Sequence, residues 1–204
     1  MDRQDVTELH YITPLTNLPS IRTQGILCHA RAAELEHVSV ASTDVQRRRA
    51  YRRIPGGQRI HEYVNLYFNA RNAMLFKILR NYEIRNRVVP EALAILRVSP
   101  DVLDLPGTVV TDINAAADIE PRWHTVEEGL PLLNRDEIHA EYWDGRRHMQ
   151  RMMAEVLVPR AVEPGSVTGA YVVSDEVAEV VSRVAPTLAT EVKPYMFFVQ
   201  GGRS

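Results

Sequence analysis

Short β-prone runs and helical periods follow one another along this chain without a repeating strand–helix alternation. That irregular order argues for an α+β fold rather than a doubly wound parallel sheet. Leu9 to Thr13 reads as a strand, and Asn17 is placed to cap a helix with Pro19 in its first turn and Gly25 just past its end. Asp44 to Arg53 reads as a very basic helix, broken by Pro55-Gly56-Gly57. Tyr63 to Phe68 is aromatic and β-prone. Arg71 to Tyr82 follows as a helix with Met74, Leu75, Ile78 and Leu79 on one face. Ala92 to Val98 and Thr108 to Thr111 read as buried strands. Asp112 to Gln150 is mostly polar, with short helical pieces near Thr125 to Leu133 and Asp136 to Trp143. Further strands are expected at Ala154 to Val158, Gly169 to Val173 and Pro194 to Val199, with a helix at Asp175 to Ala185. At 204 residues the chain suits one core, so a single domain is expected over 1–204.

Several classes of function are disfavoured. Met1 to Thr7 is polar and no apolar h-region follows, and no apolar run reaches the length a bilayer needs. Cys28 is the only cysteine, which precludes an internal disulfide and favours a cytoplasmic home. A net charge of -2 argues against a general polyanion binder. Yet Lys77 and Lys193 are the only lysines, and Arg47, Arg48, Arg49, Arg52 and Arg53 crowd one short segment. Genomic bias toward arginine and bidentate phosphate contact both account for this.

Familiar catalytic motifs are missing: there is no Gly-rich phosphate loop, HExxH, CxxC or GxSxG. Cys28 follows Gly25 in an apolar stretch and reads as a buried structural thiol. Glu155 stands out because Met152, Met153, Ala154, Val156, Leu157 and Val158 surround it. A carboxylate in such a run either pairs and faces a cleft, or lies on the wet face of an edge strand. A metal nuclease of the Glu-x-Lys kind fails, since Leu157 holds the lysine position. Asp112 reads as a turn residue. Between Glu62 and Phe76, the polar Asn65, Asn69, Arg71 and Asn72 interrupt a run of aromatics; they can bind ribose and phosphate or cap the next helix, and Asn72 reads as the cap.

Six blocks, in order, resemble the DarT family of DNA ADP-ribosyltransferases. They are LHYITPLTNLPSIRTQGIL from Leu9 to Leu27, Val45 to Arg49, YVNLYFNARNAML from Tyr63 to Leu75, Thr111 to Ala116, Glu141-Tyr142-Trp143, and Met153 to Val158. Tyr11 stands where several relatives have histidine, as does Asn114, and Met153 replaces a common glutamine.

The resemblance implies the ADP-ribosyltransferase fold, split β-sheets with NAD in the central cleft and peripheral helices. It implies Glu155 and Arg49 as catalytic residues, and singles Arg49 out from Arg52 and Arg53. Tyr11, Thr13, Asn17, Arg49, Tyr67, Asn69 and Met74 are then expected to line the NAD cleft. The stretch from Asn114 to Arg151 is expected to present the DNA, with Asn114, Arg71, Tyr142, Trp143, Arg146, Arg147 and Arg151 as contacts. For Trp143 a core anchor beneath the loop is an equal reading. The implied co-substrate is NAD, without a metal. The implied acceptor is a base of single-stranded DNA, thymidine before guanosine, and the implied partner is a macrodomain antitoxin. Rival readings are a non-catalytic nucleic-acid-binding module built on the Arg47 to Arg53 helix, and a transferase acting on RNA or protein.

Overall fold

The computed structural model describes residues 1–41, 43–80 and 88–199. Its strands are β1 (Leu9–Pro14), β2 (Ile26–Leu27), β3 (Tyr63–Tyr67), β4 (Leu93–Val98), β5 (Val109–Thr111), β6 (Trp123–His124), β7 (Glu155–Pro159), β8 (Ala161–Val162), β9 (Val167–Val172) and β10 (Thr190–Val192). The helices are α1 (Leu18–Gln24), α2 (His29–Ala32), α3 (Thr43–Tyr51), α4 (Ala73–Arg80), α5 (Val126–Gly129), α6 (Arg135–Ile138), α7 (Gly145–Arg151) and α8 (Asp175–Val184). The expected α+β mixture is therefore present.

Eight strands form one sheet in the order β10-β9-β4-β1-β3-β7-β5-β6, and β2 pairs with β8 apart from it. Within the sheet, β1 and β4 match over six residue pairs and β3 and β7 over five. By contrast, β1 and β3 meet at the single pair His10↔Tyr67. The sheet is thus two four-stranded halves joined at one residue pair, which is how the expected split appears. Leu9, Leu66, Leu93, Ile95, Leu96, Val110 and Val156 are buried in one apolar cluster. Burial of side chains of this size is the main favourable term in folding, about 1.5–3 kcal/mol each.

Local chemistry explains most boundaries. The Asn72 side chain accepts from the backbone N–H groups of Met74 and Leu75 and so caps α4, as expected. Helix α4 buries Leu75 and Leu79; its expected end at Tyr82 lies outside the described residues. Ser174 caps α8 and Thr125 caps α5. Asn17 does not cap α1. Its amide turns instead to the backbone of Val38, donating to the carbonyl at 2.8 Å and accepting from the N–H at 3.0 Å.

Two further expectations are corrected. Pro194 to Val199 is not a strand. Pro194 has no N–H to give a ladder and opens a short 3-10 helix over Pro194–Phe197, which ends at the left-handed Phe198. The last strand is Thr190–Val192, paired parallel to β9. The helix expected over Asp136 to Trp143 is shorter, ending at Ile138, and a separate helix covers Gly145–Arg151. Among the described residues no helix is long and apolar enough to cross a membrane.

Gly25 ends α1 as read from the sequence, with φ of 75° and its N–H bonded to the Ile21 carbonyl. A Cβ there would lie 2.1 Å from the backbone oxygen of Val162 in β8. Gly25→Ala is therefore expected to destabilise the protein by about 1–3 kcal/mol or more, from backbone strain plus the clash. Chemical denaturation measures this; an unchanged midpoint would contradict the close packing of α1 on β8.

Candidate active site

Glu155 opens β7, where it pairs with Tyr67 of β3 on one side and Thr111 of β5 on the other. It is an interior strand, so the wet-edge reading of this carboxylate is overturned: Glu155 is 0% exposed. An ionised carboxylate so placed needs a countercharge, and α3 supplies it. Arg49 Nη2 lies 2.8 Å from Glu155 Oε1 and 2.6 Å from Oε2, and Arg49 is itself buried. Asn114 Nδ2 donates to Oε1 at 2.6 Å. The Glu155 backbone N–H donates to Thr111 Oγ1 at 3.3 Å.

Burial raises the Glu155 pKa above the ordinary carboxylate value, while the charge and hydrogen bonds of Arg49 oppose the rise. Burial works against the Arg49 charge too, but Glu155, with smaller contributions from Tyr67 and Tyr11, offsets it and raises the Arg49 pKa. The Tyr67 hydroxyl donates to Met74 Sδ at 3.0 Å. Burial, together with the nearby Glu155 charge, pushes that hydroxyl pKa up. Tyr11 lies close enough to Arg49 for the guanidinium to oppose the rise that burial gives its own hydroxyl.

The expected site residues fall into three groups. Arg49, Glu155, Asn114, Tyr67, Met74 and Tyr11 gather at or near the carboxylate. Asn114, expected on the DNA side, sits on the carboxylate itself. Thr13 is buried and receives a hydrogen bond from Asn17 at 3.2 Å, so these two link β1 to the segment around Val38. Asn69 and Arg71 belong to the framework. Asn69 donates to the Ile138 carbonyl and accepts from the Arg71 N–H. Arg71 donates to the carbonyls of Tyr195 (3.1 Å) and Glu141 (2.5 Å), with its guanidinium 4.3 Å and 4.4 Å from the ring centres of Tyr195 and Phe198. In this structure Arg71 therefore braces the loop from within the protein.

On the polar side, Tyr142 is 72% exposed. Trp143 sets its ring edge-on to Phe76 at 5.4 Å and is half-buried, as an anchor would be. Arg146 pairs with Asp118 and Arg151 pairs with Glu137, while Arg147 is exposed. Two adjoining cavities of about 300 and 370 Å³ open here. Both are lined by Asp112, Arg122 and Arg151, and neither by Glu155 or Arg49.

Sequence reasoning missed two neighbours of Arg49. The rings of His29 and His61 lie 4.1 Å apart, and His61 Nε2 is 3.1 Å from Gln46 Oε1, one turn before Arg49 on α3. Burial lowers both pKa values, that of His61 to about 4, with the Arg49 charge adding to the effect. No local pattern links residues so far apart in the chain. Among the described residues no group of three or more His, Cys, Asp or Glu could hold a metal ion.

The chemistry open to this arrangement is electrostatic and proton-accepting. A carboxylate held by two donors can stabilise a developing positive charge or take a proton. Removing Arg49 leaves that carboxylate buried without its countercharge, and Arg49→Ala is expected to cost about 3–5 kcal/mol near neutral pH. With the lowering partner gone, the folded-state pKa of Glu155 rises further above its unfolded value. The folded state then binds the proton more readily, so stability is fullest below the ordinary carboxylate pKa and falls as pH rises through the folded one. The penalty of Arg49→Ala relative to the parent protein therefore shrinks between about pH 7.5 and 5.5. Urea titrations at the two pH values measure it; an equal penalty at both would contradict the pairing.

A protein-family model described as "ssDNA thymidine ADP-ribosyltransferase, DarT" matches residues 10–198. A DNA ADP-ribosyl transferase–DNA ADP-ribosyl glycohydrolase fusion protein of Thermosipho africanus (strain H17ap60334) is 34% identical over 180 residues, which are 84% of this chain and 44% of that protein. The solved structure of Thermosipho africanus DarTG in complex with ADP-ribose superposes with a TM-score of 0.86 at 29% identity, over 95% of this chain and 51% of that one. This chain thus spans about half the length of those two proteins. Thermus sp. 2.9 DarT, in complex with ADP-ribosylated ssDNA and with NAD+, superposes with TM-scores of 0.84 and 0.79 at 24% and 23% identity. These cover 95% of this chain and 97% and 98% of the Thermus chain, and they establish the shared fold. The chain belongs to the DarT family.

Proposed function

We propose that this member of the DarT family transfers ADP-ribose from NAD to a base of single-stranded DNA, with thymidine favoured over guanosine. The observation that carries the reading is the buried Arg49–Glu155 pair, with Asn114 as a second donor, beside the junction of the half-sheets. A module that only bound nucleic acid would present its arginines to phosphate; here the central arginine of the basic helix is buried against a carboxylate.

In the proposed reaction the bond between the nicotinamide nitrogen and the ribose anomeric carbon breaks. Nicotinamide leaves neutral, taking the bonding pair, and positive charge builds on the ribose as in glycoside cleavage. A ring nitrogen of the acceptor base then bonds to the anomeric carbon and loses its proton. Glu155 stabilises the developing charge and accepts that proton. Arg49 and Asn114 keep the carboxylate oriented, and the dry surroundings keep water from becoming the acceptor.

Tyr11, Thr13, Asn17, Tyr67 and Met74 are proposed to frame the NAD side. Asn69 serves that side through the backbone it holds. On the other side, the cavities lined by Arg122 and Arg151, the second also by Arg147, are proposed to receive the DNA strand, with exposed Tyr142 as a stacking surface and Arg146 near the phosphates. The family further supports one transferase domain over 1–204, a toxin's role in the cytoplasm and a macrodomain antitoxin as partner. DNA ADP-ribosyl glycohydrolase is named alongside the transferase in the Thermosipho africanus fusion protein.

Mass spectrometry of a short oligonucleotide incubated with protein and NAD tests the reading. A gain of one ADP-ribose, located by fragmentation on a thymidine, is expected. The same oligonucleotide annealed to its complement is expected to react far less, because a pairing-edge nitrogen is occupied in the duplex and flipping it costs roughly a few kcal/mol. Equal modification of both would refute the single-strand preference, and no modification of either would refute the transfer.

A further inference from the structure

Two arginines that touch neither the carboxylate nor the cavities converge on a single turn. Between Asn114 and Ala117 the chain folds back on itself. The Ala117 N–H donates to the Asn114 carbonyl at 2.9 Å, and the Ala116 N–H donates to Asn114 Oδ1 at 2.8 Å. The next three carbonyls are all taken by α3 and the residue after it. Arg52 Nη1 donates to Ala115 (2.9 Å) and Ala117 (2.8 Å), and Arg48 Nε donates to Ala116 (2.8 Å). Ala115 and Ala116 are buried, so carbonyls there need these donors.

The turn fixes the Asn114 amide. With Oδ1 held by the Ala116 N–H, Nδ2 is left to face Glu155 Oε1 at 2.6 Å. Arg48 and Arg52 lie one helical turn apart on either side of Arg49. One short stretch of chain thus grips the carboxylate directly through Arg49 and indirectly through the turn. Arg52 also lies 3.7 Å from Glu120, and its side chain is 18% exposed, against 70% for Arg47 within α3. A guanidinium so enclosed is a fastening within the protein, not a phosphate contact.

We propose that Arg52, assisted by Arg48, is a positioning residue for the transfer: it holds the Asn114–Ala117 turn so that the Asn114 amide sets the orientation of the Glu155 carboxylate. This rests on the transferase reading above. Displacing a catalytic group by about 1 Å can cost on the order of a hundredfold in rate. A fastening one step removed should therefore act on kcat and leave the affinity for DNA nearly unchanged.

Transfer kinetics are compared for the parent protein, Arg52→Ala, Arg52→Lys, Asn114→Ala and the Arg52→Ala/Asn114→Ala double variant. Arg53→Ala serves as the control, and melting temperatures confirm that each is folded. Arg52→Ala is expected to lower kcat at least about tenfold, with KM for the oligonucleotide within about twofold. Arg52→Lys should recover only part of the rate, since one ammonium replaces a planar fork. In the Asn114→Ala background, Arg52→Ala should add less than about twofold, because its effect passes through Asn114. A readout independent of turnover accompanies these rates. The 13C resonance of the Glu155 carboxyl, assigned by its loss in Glu155→Gln, should shift in both Arg52→Ala and Asn114→Ala but not in Arg53→Ala. A raised KM with unchanged kcat and a shallower salt dependence would overturn the proposal in favour of phosphate binding. Fully additive losses, or an unmoved carboxyl resonance in Arg52→Ala, would overturn it too. If the parent protein transfers nothing, the transferase reading fails, and the resonance alone decides whether Arg52 positions the carboxylate.

Discussion

The ion pair between Arg49 and Glu155 is the constraint around which this protein is arranged. Taking two charges out of water costs several kcal/mol each, and their attraction repays this only with good geometry and further hydrogen bonds. The structure supplies both: two contacts from one guanidinium nitrogen and a third from the Asn114 amide. Even so, such a pair is weak grounds for stability, since apolar residues of similar volume often do as well or better. Its persistence in the middle of a sheet makes sense as chemistry. A carboxylate kept dry and held by fixed donors is suited to a reaction that builds positive charge and releases a proton.

The fold serves this pair in an unusual way. Helix α3 carries no apolar stripe into the core; its one buried side chain is Arg49. Most surface helices are held by an apolar face, whereas this one is fastened through Arg48, Arg49 and, one residue past its end, Arg52 to the Asn114–Ala117 turn and the carboxylate. Behind it, Tyr67 pairs with Glu155 in one half-sheet and with His10 in the other. The carboxylate therefore lies next to the one residue pair that joins the halves, where a cleft can form without breaking either sheet.

How much of this was legible beforehand follows from the range of each interaction. Local chemistry was readable: the β-prone runs around Leu66, Leu96 and Val156, the Asn72 cap and the Gly25 stop all act within a few residues. Strand order was not, which is why Glu155 could be read as lying at a wet edge; its neighbours, Tyr67 and Thr111, are far away in sequence. Three-residue β10 is exposed throughout and shows no alternation to find. Helix α7 is polar, with Gln150 as its only buried residue, so it shows no apolar period. Asn17 obeyed the composition rule for a cap but satisfied Val38 across a loop instead. Glu155 stood out by its apolar flanks, but its grouping with residues 49 and 114 is not local, because the three share no sequence pattern. Resemblance pointed to Arg49 and Glu155, which the structure brings together, but not to the contact between Asn114 and the carboxylate, nor to the grip of Arg48 and Arg52 on the turn.

The most direct test of the account is the transfer rate of Glu155→Gln, measured beside its NAD affinity. The substitution keeps the shape of the side chain and removes its charge and its ability to accept the base proton. The account predicts a folded protein that binds NAD within several-fold of the parent, with a transfer rate lower by on the order of a hundredfold or more. A Glu155→Gln protein that transfers ADP-ribose at close to the parent rate would contradict it.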